Sequence, residues 1–165
     1  MNGQTVKYRI AITEYSTLKG FGYSCSVEKE FDTIDSVVNA LEYSKNTLTE
    51  EFSKVHVDEH NRSNMSFAIV DNSTGLILTK IAAHAYTISE DGREYLYRGH
   101  KITTEFDNEI NKDVLVVHRI DGRPHTIRSS IQHALDTIDW MCCTMENAAI
   151  AKMALSETNK EKEGE

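Results

Sequence analysis

Two histidines and a glutamate within residues 56–60 have the types and spacing of a zinc site. The stretch reads His56-Val57-Asp58-Glu59-His60. Zinc is bound by deprotonated nitrogen and oxygen ligands, usually three from the protein in a catalytic site. Residues four apart on a helix share a face, so that His56 and His60 could bind one ion there. The candidate metal ligands are therefore His56, Glu59 and His60.

This stretch resembles the H-x-x-E-H zinc signature of the inverzincin metallopeptidases, and the resemblance covers these five residues. It implies a small zinc hydrolase with a further glutamate ligand downstream, where Glu90, Glu94 and Glu105 lie. The alternative is a polar helix end that enters a loop. A helix continued from Ile34 at about 100° per residue would place Glu59 in an apolar stripe, where burial of a carboxylate is costly. We prefer the alternative and expect no metal or cofactor.

Other residues with reactive side chains show no arrangement for catalysis. The remaining histidines stand singly, at His84, His100, His118, His125 and His133. The chain has neither the G-x-S-x-G turn of serine hydrolases nor a glycine-rich phosphate loop. The vicinal pair Cys142-Cys143 is interpreted as two small residues of a helix. The sequence thus favours a protein without enzymatic activity, although a triad assembled from distant positions stays open.

The elements that would hold these residues are those of one α+β domain over residues 5–155, with a disordered charged tail over 156–165. Two strands precede a helix that begins after Asp32 or Thr33, since both are good capping residues. Four further strands follow, and a long second helix is expected from Thr126. The predicted fold is a largely antiparallel sheet of about six strands, in the order ββα-ββββ-α, covered by two helices.

Composition limits the class of protein further. The 165 residues contain no apolar run of 18, so that no membrane span is expected. Three cysteines at Cys25, Cys142 and Cys143 form no disulfide framework, which favours a reducing, cytoplasmic location.

Negative charge is concentrated in one part of the chain. Residues 28–59 hold nine acids and three lysines, within a total formal charge of −8. On the first helix one face is polar and acidic, and it consists of Asp35, Asn39, Glu42, Asn46 and Glu50. Such a face repels nucleic acid phosphates and attracts basic partners. The alternative is a solvated helix face that aids solubility.

Basic and aromatic residues interleave in a second region, residues 95–128. They are Tyr95, Tyr97, Arg98, Lys101, Arg119 and Arg123, with His100 and Arg128 nearby. The arginines could contact phosphates and the tyrosines could stack on bases. Residues 93–128 nevertheless hold seven basic residues against six acids. A nucleic-acid-binding module is therefore an alternative interpretation.

The second helix shows a possible seam for self-association. Its main apolar stripe should cover the sheet, while Arg128, Gln132, Asp136 and Asp139 form a polar outer face in its first half. A second set of residues at spacings of three and four then follows, made up of Trp140, Cys143, Asn147, Ile150 and Ala154. This seam predicts a homodimer, and packing within the same chain is the alternative.

Taken as a whole, the sequence predicts a small acidic binding protein that docks a basic surface of a protein partner. Inhibitors, adaptors and mimics of nucleic acid charge have this size and charge. A phage or mobile-element protein that antagonises a host nucleic-acid enzyme or defence system would fit the pattern.

Overall fold

The structure, a computed structural model, describes residues 4–16, 22–27, 31–51, 56–58 and 65–144. The first helix, α1, spans Ile34–Glu51, and the second, α2, is helical over residues 131–144. The strands are β1 Thr5–Ser16, β2 Gly22–Val27, β3 His56–Asp58, β4 Ser66–Val70, β5 Ile77–Ile88, β6 Glu94–Tyr97, β7 His100–Asp107, β8 Lys112–His118 and β9 Pro124–Arg128.

All of these strands join one sheet, and every pairing between them is antiparallel. The main path runs β2-β1-β5-β6-β7-β8-β9, while β4 pairs with β5 and with β3. Strand β5 is 12 residues long because it pairs with β1 along one edge and with β4 and then β6 along the other. The predicted α+β class, with a largely antiparallel sheet and a C-terminal helix, is confirmed.

The sheet contains nine strands in the described residues, where about six were expected. A turn at Arg98 and Gly99, both with positive φ, divides one expected strand into β6 and β7. Strand β3 is only three residues long. Strand β9 lies where the sequence predicted the start of α2, and this placement of the helix start was wrong. Thr126 pairs with Val117 in the β8–β9 ladder.

Both helices begin at a side-chain cap. The Oγ1 of Thr33 accepts a hydrogen bond from the backbone N–H of Ser36 at 3.3 Å, so that Thr33 rather than Asp32 caps α1. The Oγ of Ser130 accepts one from His133 N–H at 3.3 Å, which fixes the start of α2 at residue 131.

The two helices cover opposite faces of the sheet. Side chains alternate between faces along a strand, so Ile81 and Tyr86, five apart on β5, point in opposite directions. Ile81 belongs to a core cluster with Val37 and Leu41 of α1. Tyr86 belongs to a second cluster that α2 completes with Ala134, Leu135 and Ile138. Each helix therefore has its own apolar core.

Among the described residues, neither helix has the length and apolarity needed to cross a bilayer. The predicted tail, residues 156–165, lies outside the described part of the chain.

Candidate functional site

The predicted acidic face of α1 is on the surface of the molecule. Of its members, Asp35, Asn39, Asn46 and Glu50 are exposed and Glu42 is half-buried. The opposite side of the helix packs on the sheet, with Val37 and Leu41 buried. Apolar contact with the sheet thus fixes which side of α1 points outward. We refer to the five residues Asp35, Asn39, Glu42, Asn46 and Glu50 as the acidic stripe.

Large apolar side chains are exposed beside the acidic stripe. Tyr43 is 75% exposed, Ile34 48% and Val38 41%. Ile34 and Val38 are apolar, but α1 turns both toward solvent at the edge of its buried side. Tyr43 was not predicted as part of any site. The sequence signal for a binding site here was a tyrosine next to carboxylates, because aromatic residues are enriched in protein interfaces.

A cluster of charged side chains is buried under α2, and we call Arg9, Tyr97, Arg98 and Asp139 the ion cluster. Asp139 is 0% exposed and Arg9 1% exposed. Asp139 Oδ1 accepts hydrogen bonds from the Tyr97 hydroxyl at 2.5 Å and from Arg98 Nη1 at 3.0 Å. Its Oδ2 lies 3.6 Å from Arg9 Nη2. One carboxylate therefore connects α2 to β1 and to the β6–β7 hairpin.

Arg9 makes two further bonds to α2. Its Nη1 donates to Gln132 Oε1 at 3.0 Å, and its Nη2 donates to Asp136 Oδ1 at 2.6 Å. The guanidinium carbon also lies 5.9 Å from the centre of the Tyr97 ring, within the range of a cation–π contact. Two arginines meet two aspartates here, of which Asp139 is buried and Asp136 is about half exposed.

The surroundings shift the pKa values of the buried groups. Burial, and then the neighbouring Asp139 carboxylate, raises the pKa of the Tyr97 hydroxyl. Burial also raises the pKa of the Asp139 carboxyl, against the hydrogen bond from Tyr97 and the charges of Arg9 and Arg98. The rings of Tyr97 and His84 pack edge to face, with 6.2 Å between ring centres. Burial and the charges of Arg98 and Lys80 lower the pKa of His84 to about 4.

The ion cluster is suited to positioning α2 rather than to reaction. A catalytic group must reach its substrate, whereas Asp139 and Tyr97 are both 0% exposed. The sequence pattern predicted Asp139 on a polar outer face, and that prediction was wrong. Two signals in the sequence were missed. One is Arg9, a charged residue in the apolar strand "YRIAI". The other is a set of polar residues at spacings of four and three along α2, namely Gln132, Asp136 and Asp139.

The residues of the nucleic-acid alternative do not form one surface. Tyr97 is 0% exposed, so that it cannot stack on a base, and Arg98 is bound to Asp139. Tyr95 packs against the core under α2. The remaining members, Lys101, Arg119 and Arg123, are exposed, and two of them pair with acids: Lys101 with Glu94 at 3.2 Å and Arg123 with Asp121 at 2.7 Å.

The candidate zinc ligands lie at the edge of the described region. His56 is the first residue of strand β3, so the helical geometry that would bring it to the same face as His60 is absent there. Glu59 and His60 lie outside the described residues. Within the described residues, no group of three or more histidine, cysteine, aspartate or glutamate side chains could hold a metal ion.

The proposed self-association seam is only partly described. Trp140 is 51% exposed, as the seam requires. Cys143 is 1% exposed, so its placement on the outer face was wrong. Cys143 lies four residues after Asp139, and the ion cluster turns this side of α2 toward the sheet. The other members, Asn147, Ile150 and Ala154, lie outside the described residues.

Comparison with known proteins assigns the chain to no family, because no family model, no curated protein and no solved structure matches it.

Proposed function

We propose that this protein binds a basic surface of a protein partner through the acidic stripe on α1. The observation that carries the proposal is the exposure of the acidic stripe together with Tyr43, which is 75% exposed. Carboxylates steer a basic partner toward the surface, and a rigid aromatic side chain supplies contact area after docking. The ion cluster does not compete for this role, since it lies under the other helix. The function proposed is that of an inhibitor, adaptor or charge mimic.

A comparison of two double charge reversals tests the proposal. Glu42→Lys/Glu50→Lys changes the acidic stripe, and Glu90→Lys/Glu109→Lys makes the same change in charge at two exposed turn residues. We expect immobilised wild type and the turn variant to retain the same basic protein from extracts of the source cells, and the stripe variant to lose it. Equal retention by both variants would contradict the proposal.

Salt dependence gives an independent check. An interface dominated by charge weakens steeply between about 0.1 and 1 M salt, because the screening length falls from about 10 to about 3 Å. Retention that is unchanged over this range would also contradict the role of the acidic stripe.

We further propose that α2 contributes to a homodimer through Trp140. The supporting observation is its exposure of 51%, which is high for a tryptophan. Light scattering should give twice the monomer mass for the wild type and the monomer mass for Trp140→Asp. A wild type that is monomeric at high concentration would contradict this proposal. The antagonism of a host enzyme or defence system stays a prediction from size and charge, and the cytoplasmic location stays a prediction from the cysteine content.

A further inference from the structure

A groove runs along the side of α1 next to the acidic stripe, between the helix and the start of β4. It is lined by Val38, Leu41, Glu42, Lys45, Met65, Ser66 and Phe67. Leu41 and Phe67 are 7% and 2% exposed and form its floor, and Val38, 41% exposed, forms its rim. The groove is therefore apolar at depth and open at the side of α1.

The size of the groove indicates what it can hold. Its volume is about 180 Å³. Sites for small molecules are usually larger, about 300 to 1,000 Å³. A space of this size instead suits one aliphatic or aromatic side chain, the typical anchor of a protein segment docked in a groove.

Met65 makes the groove adaptable. Its backbone has a φ of 56°, an uncommon value for a residue other than glycine. The carbonyl of Met65 accepts a hydrogen bond from Ala83 N–H at 3.0 Å, which ties this conformation to β5. Methionine side chains are flexible and are frequent on surfaces that adjust to a partner. The wall formed by Met65 can therefore move to fit the inserted group.

The charges around the groove select the occupant. Glu42 belongs both to the groove and to the acidic stripe, since Val38 and Glu42 lie four residues apart on one side of the helix. Helix α1 carries four acids and one lysine, Lys45, which also lines the groove. A partner segment whose side chain enters the groove would thus place its flanking residues on a predominantly negative surface.

We infer that the groove binds one large apolar side chain of the partner, flanked in the partner's chain by arginine or lysine residues that lie on the acidic stripe. This inference rests on the proposed function and adds the chemistry of the docking segment. The segment is a short basic stretch with a single apolar anchor.

The inference can be tested with three synthetic seven-residue peptides of defined composition. The first has a central leucine between arginines and lysines, the second has serine in place of the leucine, and the third keeps the leucine but has glutamines in place of the basic residues. Binding is measured by fluorescence anisotropy, and contact is located from the methyl resonances of Val38, Leu41 and Met65. We expect the leucine peptide to bind wild type on the order of 10-fold more tightly than the serine peptide, as burial of one leucine side chain predicts.

Two matched variants locate the effect. Val38→Gln removes the apolar rim without adding charge, and Val6→Gln makes the same change at a valine that is 45% exposed and does not line the groove. The preference for leucine over serine should fall below about 3-fold in Val38→Gln and stay unchanged in Val6→Gln, since only the first loses buried apolar contact. Both valines are exposed, so both variants should fold, which thermal unfolding would verify.

The outcomes separate this inference from the proposed function. Equal binding of the leucine and serine peptides overturns the groove inference but leaves the acidic stripe as a binding surface. Charge does not drive docking if the glutamine-containing peptide binds wild type as tightly as the basic leucine peptide, or if neither of the two basic peptides binds. Either result contradicts the proposed function. A leucine preference that survives in Val38→Gln places the anchor elsewhere and also overturns the inference.

Discussion

The two helices cover opposite faces of one sheet, and they use charge in opposite ways. Helix α1 packs through apolar side chains such as Val37 and Leu41 and turns Asp35 and Glu50 to solvent. Helix α2 packs through apolar side chains as well, but it also buries a carboxylate, Asp139, against two arginines. The comparison shows charged residues kept at the surface on α1, whereas on α2 a buried charge helps to fix the position of the helix.

Apolar packing and the ion cluster differ in how narrowly each defines the position of a helix on the sheet. Burial of apolar area has no direction, so that the packing of α1 defines its position less narrowly than directed hydrogen bonds would. Asp139 must instead meet Tyr97, Arg98 and Arg9 at once, at hydrogen-bonding or ion-pairing distances. A buried charge left without its partners is expensive, and alternative positions of α2 are therefore disfavoured. We interpret the ion cluster as the feature that fixes the register of α2.

The backbone of the β6–β7 hairpin supports this interpretation. Arg98 has a φ of 50° and Gly99 a φ of 82°, as in a two-residue turn of type I′. For a side chain other than glycine, asparagine or aspartate this region costs roughly 1 to 2 kcal/mol. The turn nevertheless carries arginine, and its guanidinium donates to Asp139 at 3.0 Å. The ion pair offsets the strain of the turn.

The largest predicted effect is the loss of the buried carboxylate. Asp139→Ala leaves Arg9 and Arg98 without their shared partner, and removal of one member of a buried ion pair costs about 3 to 5 kcal/mol. Asp35→Ala, on the exposed acidic stripe, should lower the free energy of unfolding by less than about 1 kcal/mol, from loss of a carboxylate in the first turn of α1. Urea unfolding monitored by circular dichroism measures both. Similar losses in the free energy of unfolding for the two variants would contradict the proposed difference between the exposed charge of α1 and the buried charge of α2.

The apolar core under α1 gives the next largest effect. Leu41 is 7% exposed, and Leu41→Ala should cost about 2 to 4 kcal/mol through lost burial and the cavity that remains. Because Leu41 and Asp139 lie on opposite faces of the sheet, the double variant should be additive within about 0.5 kcal/mol. A larger deviation in urea unfolding would show that the two cores are coupled.

Stability should also depend on pH through His84. Burial lowers the pKa of His84 to about 4 in the folded chain, from 6.5. The unfolded chain therefore takes up a proton as the pH falls through 6.5, while the folded chain does so only near pH 4. The stabilising contribution of neutral His84 is present above this window and is lost as the pH falls across it.

The variant that tests this dependence is His84→Phe, which keeps an aromatic ring against Tyr97 and removes the titration. Between about pH 7 and 4, wild type should lose roughly 2 to 3 kcal/mol relative to His84→Phe, as a shift of this size predicts. Unfolding curves at several pH values measure the difference. Parallel curves for the two proteins would show that His84 is not held neutral by burial.

Local patterns in the sequence predicted α1 well. Its start at Ile34 follows from capping chemistry at Thr33, and its buried side follows from the spacing of Val37 and Leu41. The second helix was predicted less well, because Thr126-Ile127 resembles a helix start as closely as Ser130 does. Residues 124–128 are in a strand because β8 pairs with them. A capping motif in the sequence gives no information on this pairing between β8 and β9.

The contents of the ion cluster could not be read from local pattern. Tyr97 and Asp139 are 42 residues apart in the chain. Asp139 was assigned to the outer face because it is charged, and Cys143, four residues later on the same side of the helix, was misplaced as well. A charge in an apolar strand and a charge in a helix indicate a pair only when the two elements are known to meet. The acidic stripe was predictable because the spacing of Val37 and Leu41 determines which side of α1 faces the sheet.

The smallest effect concerns the helix caps, where the two helices should behave alike. Thr33 and Ser130 each accept a hydrogen bond from the backbone N–H three residues later, both at 3.3 Å. Replacement of either residue by alanine should cost about 1 kcal/mol, since a cap acts on its own helix end and not on what lies beneath the helix. Urea unfolding of the two single variants measures these values. If Ser130→Ala costs several times more than Thr33→Ala, the start of α2 and the ion cluster are coupled, and the position of α2 then depends on its cap as well as on Asp139.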